Sequence, residues 1–454
     1  MPIRIRKTVR GGDKRPAAAA VTFAAILALS GCMNGNAPGV TMAGGSDPTA
    51  IAASTQLAGA AGDTVKRGEQ RSAIIDDLRT RQSVLPGQGA CGQIANGVLT
   101  ANKGPAAAEL RVSRLKAEAK SKNWLPSIGP VMDLTSLGAL AASILVEQVL
   151  FDNGKRKAER AYAAADVEVA AVSLSEEMNK RVYEGLNYYV SAQRANEQAR
   201  LAAAGVTRMQ EYGRIMGVRV SGGLSDRSEE RVIQQKISQM QAGEEADKET
   251  AATAMAELNV MVQVPVAGLS GLCSLSAPKG SSEPLAVLRA SGEGRRTVAE
   301  AKMARAGLLP GLKASATAGK GGVSGGLRVS ADNALGFGTG SSLAALEASQ
   351  EVATQRTESA RDDASRRIVA LERQIANLQS QQGQGAGVLE QTASSLKMFT
   401  QQYKYGRRPL MELVGMFETY SALEREQASV PYDIALLQLQ IGNIRGVLVD
   451  GTRM

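Results

Sequence analysis

The sequence predicts a mainly α-helical chain in which short pairs of strands alternate with long antiparallel helical hairpins. Two observations predict it. One long pattern is stated twice: Leu125-Pro126-Ser127 opens a stretch that closes on Phe151-Asp152-Asn153-Gly154, and Leu309-Pro310-Gly311 opens one that closes on Phe337-Gly338-Thr339-Gly340. The two starts lie 184 residues apart and the two closing glycines 186 apart. Each stretch leads into a long helical run rich in Ala, Gln, Glu and Arg, then a short Gly-containing break, then a second helical run. Self-similarity at a fixed spacing marks one structural unit used twice. The second observation is a change of apolar period, from two in the stretches to about 3.6 in the runs.

The N-terminus is an address. Arg4 to Arg15 forms a basic region, and Ala17 to Ala28 is an apolar run of 12 residues, too short for a bilayer-spanning helix of about 20. Residues 1–31 therefore read as a signal peptide. Leu29-Ser30-Gly31-Cys32 resembles the bacterial lipobox, which implies lipidation at Cys32 (palmitate among the acyl groups) and a mature chain that begins there. Met33 stands where an Asp would signal inner-membrane retention, so the lipoprotein pattern implies the outer membrane. Residues 32–48 read as a flexible lipidated tether, and 49–262 and 263–454 as the first and second repeats.

Within the first repeat, 49–83 is helix-prone, 84–104 is Gly-rich and holds Cys91, and 105–122 is helical up to Trp124-Leu125-Pro126, where the Pro stops it. The strand pair is expected at about 125–151. It alternates poorly, and Leu140 to Phe151 suits a strand or a short buried helix; the repeat argues for the strand. The hairpin is expected at about 155–262. Val167, Ala171, Leu174, Met178, Val182, Leu186 and Tyr189 form one apolar line, predicting a single helix from Lys155 to about Tyr212. Ile233, Ile237 and Met240 continue on the return run.

The second repeat adds a linker and helix, a strand pair at about 309–337 and a hairpin at about 341–449. Its strands are clear. Leu312, Ala314, Ala316 and Ala318 alternate with Lys313, Ser315 and Thr317; beyond the turn Gly319-Lys320-Gly321-Gly322, Leu327, Val329 and Ala331 alternate with Arg328, Ser330 and Asp332. Small apolar residues on one side and polar residues on the other suit a barrel with lipid outside and water inside. Ile368, Leu371, Ile375 and Leu378 form the helical stripe, and Gln382-Gly383-Gln384-Gly385-Ala386-Gly387 is expected to loosen or bend the rod. Leu410, Leu413, Phe417 and Tyr420 mark the return. Such long helices with narrow apolar lines need partner helices.

Composition narrows the function. Aromatics are 3% of the 454 residues, so the chain suits closely packed helices and thin walls better than a bulky core. The net charge is +9, of which residues 1–31 carry +5, leaving a mild +4 and no basic stretch interleaved with aromatics; nucleic-acid binding is not indicated. There are no histidines, which removes the commonest general base and metal ligand. No Gly-Lys-Ser/Thr phosphate loop occurs, and Gly336-Phe337-Gly338-Thr339-Gly340 lacks the acidic partner and βαβ setting of a dinucleotide site. The reading is of a non-enzyme with no cofactor and no metal. Cys91 precedes Leu125 by 34 residues and Cys273 precedes Leu309 by 36, matching places in the two halves. In an oxidising compartment they are candidates for a disulfide that closes a long loop, worth about 5 kcal/mol by chain entropy; two separate buried thiols are the alternative.

With these features the chain resembles the TolC-type outer-membrane efflux and secretion channels over about residues 105–450. The most specific motif is Tyr403-Lys404-Tyr405-Gly406-Arg407-Arg408-Pro409-Leu410-Met411-Glu412-Leu413, similar to the family's periplasmic turn between the second pair of helices. Its counterpart, Val218 to Asp226, departs from the pattern: Ser221-Gly222-Gly223-Leu224-Ser225-Asp226 is shorter and lacks the Tyr, and keeps an acid as Asp226. With the lipobox, the subgroup it looks most like is the NodT-type lipoproteins. The resemblance implies a homotrimer whose protomers each give four strands to a shared transmembrane β-barrel and their hairpins to an α-barrel. It implies a periplasmic adaptor and an inner-membrane pump as partners, in a tripartite efflux or type I secretion system. The tube must close when idle, and Arg214, Arg219, Asp226, Tyr405, Gly406, Arg407, Arg408 and Glu412 are the candidate gate and adaptor contacts at its tip; each also suits an ordinary solvated helix end. The rival reading is a periplasmic coiled-coil adaptor or scaffold lipoprotein with no pore. Two hairpins and little β sequence beyond the linked pairs speak against it.

Overall fold

The computed structural model describes residues 72–453, except 88, 103, 135–139, 263–265, 267, 273–274, 276–281, 320–321 and 333–335. All of them belong to one compact unit, Glu69–Met454. The signal peptide, Cys32, the tether and Cys273 lie outside the described residues.

Two short helices come first, α1 (Ala73–Thr80) and α2 (Ala90–Thr100). The first module then runs α3 (Ala106–Ser121), β1 (Ser127–Leu134), β2 (Leu140–Phe151), α4 (Lys155–Ser221), α5 (Arg227–Met261). The second repeats it as α6 (Leu285–Gly307), β3 (Gly311–Gly319), β4 (Gly322–Ser330), α7 (Thr339–Lys404), α8 (Leu410–Arg445). The doubled pattern is thus helix, strand pair, long helix, return helix.

Two expectations are corrected. The helix from Lys155 does not end near Tyr212; it continues to Ser221, because Tyr212 and Met216 still pack into an apolar cluster and Gly222 supplies the cap. The Gly-rich span 382–387 does not break the rod, and α7 runs through Gly383, Gly385 and Gly387 without interruption. A glycine in a helix costs only about 1 kcal/mol, and an α-helix of 66 residues absorbs it. The Gly-rich span 84–104 contains a helix, α2, which buries Cys91, Ile94 and Val98.

The four strands form one antiparallel sheet in the order β1-β2-β3-β4. Register sorts their side chains. Ile128, Val146, Ala316 and Gly325 form one apolar row across the sheet, while Ser127, Glu147, Ser315 and Gly326 form a row of the other face. Ile128, Met132, Ile144, Val323, Leu327 and Val329 are exposed on the apolar face. The poor alternation of the first pair has a cause: Leu145 pairs with Thr317 and Val149 with Lys313, so β2 puts two large apolar residues on the polar face. A bulge between Val149 and Phe151 then returns Phe151 to the apolar row beside Leu312 and Val329.

The helices pack in a fixed neighbour order. On the sheet side, α3 lies on α4, α4 on α6 and α6 on α7; on the far side, α5 lies on α4, α4 on α8 and α8 on α7. One apolar core joins α1, α2, the first half of α4 and the ends of α5 and α8, with Val182, Leu186 and Tyr189 fully buried. Asn179, buried at its edge, accepts the N–H groups of Leu448 and Val449 at 2.9 and 3.3 Å and so fixes the C-terminal segment.

Candidate functional site

Two places collect the residues that the sequence singled out: the junction of sheet and helices, and the two hairpin turns.

At the junction the repeated motifs meet. The Asp152 carboxylate accepts the N–H groups of Gly154 at 3.0 Å and Arg156 at 2.8 Å, capping α4. Asn153 and Gly154 take positive φ (51° and 85°), which Asn and Gly tolerate best. The Asn153 amide donates to the Pro310 carbonyl at 2.9 Å, so the closing motif of the first stretch holds the opening motif of the second. Lys155 pairs with Asp332 at 2.5 Å, and Lys313 lies within 4 Å of both Glu147 and Asp332. This charge network on the polar side was not anticipated; the placing of Lys313 and Asp332 among the alternating polar positions was its only signal.

The two turns lie at one end because a single apolar cluster holds them: Met209, Tyr212 and Met216 of α4, Ile233 and Ile237 of α5, and Leu410, Leu413, Val414 and Phe417 of α8. Tyr212 and Phe417 meet edge to face at 5.6 Å. Both turns reverse through a left-handed glycine, Gly223 (φ 73°) and Gly406 (φ 69°). Three residues later, Asp226 and Pro409 take the N-cap positions of α5 and α8. The acid that matches Glu412 in place is therefore Glu229, also in a first helical turn, while Asp226 does the capping that Pro409 cannot. Unequal turn sequences concealed this correspondence.

The individual tip residues fall into three groups. Arg408 joins Glu412 and Gln402 and lies 3.9 Å above the Phe399 ring. Arg214 pairs with Glu211 at 2.7 Å on its own helix; this pairing pulls the Glu211 carboxyl below the usual range. Arg219 donates to Ser225 Oγ at 3.0 Å and to the Leu224 carbonyl, bracing its own turn. Asp226 accepts the Ser228 N–H at 2.8 Å, and that bond holds its carboxyl below the ordinary value. Tyr405 is 79% exposed, and Arg407 is exposed with no side-chain partner among the described residues. Arg408 and Glu412 are thus brought together; no hydrogen bond or ion pair among the described residues links the first turn to the second. The links between hairpins sit further up, as Lys236–Glu418 at 2.6 Å, Arg194–Asp433 at 2.5 Å and Arg425–Asp247.

Cys91 is disulfide-bonded and buried in α2. The chain around Cys273 reaches the same core: Tyr189 donates to the Gly271 carbonyl at 2.9 Å, and Leu269 and Leu275 pack on the cluster that contains Cys91. Among the described residues no group of three His, Cys, Asp or Glu side chains is placed to hold a metal ion, and no helix is long and apolar enough to cross a membrane.

An open sheet with one apolar exposed face, continued by helices whose outermost members have partners on one side only, defines a wall segment. No protein-family model matches the sequence, and no curated protein does. Solved structures do match in fold. The outer membrane protein VceC from Vibrio cholerae superimposes with a TM-score of 0.66 at 14% identity, over 79% of this chain and 96% of that one. The outer-membrane channel OprN gives 0.69 at 15% identity over 81% and 93%. The open state of the MtrE outer membrane channel from Neisseria gonorrhoeae gives 0.61 at 16% over 84% and 90%. The chain has the fold of the TolC-type outer-membrane channels: mainly α, with long antiparallel hairpins and one four-stranded antiparallel sheet.

Proposed function

We propose that the chain is an outer-membrane channel of a tripartite efflux or type I secretion system, giving passive passage from an inner-membrane pump and periplasmic adaptor to the exterior. The observation that carries this reading is the sheet. Its four strands end in two edges, β1 and β4, that have no strand partner among the described residues, and they expose a face that is apolar apart from Gln148, opposite a face bearing Glu147, Lys313 and Arg328. Open edges are not tolerated in lipid, so strands with this patterning must close with other copies. A homotrimer closes twelve strands into a barrel with polar lining, and the same closure joins α7 of one copy to α3 and α5 of the next. A pore-free scaffold has no use for the apolar sheet face.

The chemistry is that of a conduit, not an enzyme. Further parts of the reading rest on the sequence: residues 1–31 as signal peptide, Cys32 as the lipidated residue, and an outer-membrane location with the hairpins in the periplasm. Cys91 and Cys273 form the disulfide, supported by the packing of Leu269 and Leu275 on the Cys91 core. The tip gate uses Arg214, Arg219, Asp226, Tyr405, Gly406, Arg407, Arg408 and Glu412 against their symmetry copies, with the exposed Arg407 and Tyr405 available for such contacts.

Planar-bilayer conductance tests the channel and its gate. The purified chain should insert as a poorly conducting pore, and Arg407→Ala, Glu412→Ala and Asp226→Ala should raise its resting conductance. No insertion at all contradicts the channel; insertion with resting conductance unchanged in all three variants contradicts the gate. Extraction separates the scaffold reading: the Cys32→Ser chain should still need detergent.

A further inference from the structure

We infer that α3 of one copy seats on α7 of the next through a charge-matched seam, with Arg111 and Arg114 facing Glu347 and Glu351. The inference rests on the ring proposed above and adds which residues make its contact and at what height.

α3 buries one line, Ala106, Leu110 and Ser113, against α4. Its opposite side is an uncovered apolar strip, Val112 and Leu115 (48% and 57% exposed). Arg111 and Arg114 run along one edge of that strip, where Glu118 is already paired with Lys122, and neither Arg111 nor Arg114 has an ion pair among the described residues. An apolar strip of adjacent Val and Leu edged by unpaired guanidinium groups is the kind of surface that an interface covers.

α7 offers the complement. It turns Ala353 and Ala364 inward, with Ala353 against Gly294 of α6. By helical period, Ala344, Glu347, Ala348, Glu351, Glu358 and Asp362 fall on the side away from α6, and no basic residue joins them before Arg366. Small residues flanked by carboxylates meet large apolar residues flanked by guanidinium groups.

Height along the wall decides the register, because rotation about a symmetry axis preserves it. Ser113 of α3 donates to Asp166 of α4 at 3.1 Å, and Arg296 of α6 pairs with the same Asp166 at 3.3 Å. Gly294, two residues from Arg296, lies against Ala353, so Arg296 is level with about residue 351 of the antiparallel α7. Glu351 thus stands at the height of Ser113, between Arg111 and Arg114. Glu347 stands about 6 Å nearer the sheet, at the height of Ala117 and within one turn of Arg114.

Charge swapping tests the seam on the full-length chain extracted in mild detergent, with the trimer fraction read by native mass spectrometry and folding by circular dichroism. Arg111→Glu with Arg114→Glu should lower the trimer association constant about tenfold or more, as should Glu347→Arg with Glu351→Arg, because like charges then face one another. Combining all four should restore it. If the wild type is a trimer and either pair leaves it intact, or the combination is no better than the pairs, the seam is wrong while the ring stands. If the folded wild type is a monomer in detergent and in lipid, the ring itself falls, and the seam with it.

Discussion

The two long helices hold the same place in the two repeats and are nearly equal in length, yet α4 buries 27 of its 67 residues and α7 only 3 of its 66. Propensity does not separate them, since both are rich in Ala, Glu, Gln and Arg. Position does. α4 lies inside the wall segment, covered by α3, α5, α6 and α8, whereas α7 has α6 and α8 on one side and nothing described on the other. The apolar line of α4 is satisfied within one chain. The stripe Ile368, Leu371, Ile375 and Leu378 is half-covered, with only Ile368 buried. Burial therefore reports which part of a repeat is interior to a protomer and which, on the proposed ring, is left for a neighbour.

The comparison can be broken most directly with paired truncations. Leu186→Ala on α4 removes a fully buried side chain and should cost about 2–5 kcal/mol in denaturant unfolding, in monomer and assembly alike. Ile375→Ala on α7 should cost under about 1 kcal/mol in a dissociated monomer and more in the assembly. Equal costs in the monomer would mean that Ile375 is already fully covered within its own chain.

A second prediction concerns the Asn179 clamp in the first half of α4. Asn179→Ala leaves the Leu448 and Val449 N–H groups buried without an acceptor and should cost about 1–3 kcal/mol, with faster proteolysis of the C-terminal residues. Unchanged proteolysis would show that the segment is held by apolar packing alone.

The smallest effect belongs to the tip. Asp226 has its carboxyl depressed by the Ser228 amide, so its capping contribution is full above about pH 4, the ordinary carboxylate value, and is lost as pH falls through the lower folded value. Amide exchange at Ser228, corrected for its intrinsic pH dependence, should accelerate only under acid in the native chain and be acid-insensitive in Asp226→Asn. The same acid response in both would remove the cap from the account.

The helical part of the fold was legible because its signals are local. Val182, Leu186 and Tyr189 repeat at helical spacing and are all buried, and Leu410, Leu413 and Phe417 do the same on the return. The second strand pair was legible from its alternation; the first was recognisable only through the repeat, since Leu145 and Val149 break the pattern. What could not be read depends on three-dimensional neighbours: the Asn153–Pro310 bond spans 157 residues, and the Lys155–Asp332 pair 177. The tip motif was found around Tyr405-Gly406, but the role of Asp226 as a cap, with Glu229 as the match of Glu412, needed the backbone, because the two turns share a left-handed glycine and little sequence. A gate, if its contacts run between copies, leaves no mark on one chain's bonds.

Electron cryo-microscopy of the full-length chain in lipid nanodiscs tests the central claim most directly. The account predicts a hollow threefold particle in which β4 of each copy pairs with β1 of the next across the bilayer and α7 is covered by its neighbour. A single-copy particle with both sheet edges unpaired, or an assembly whose sheets stand outside the lipid, would contradict it.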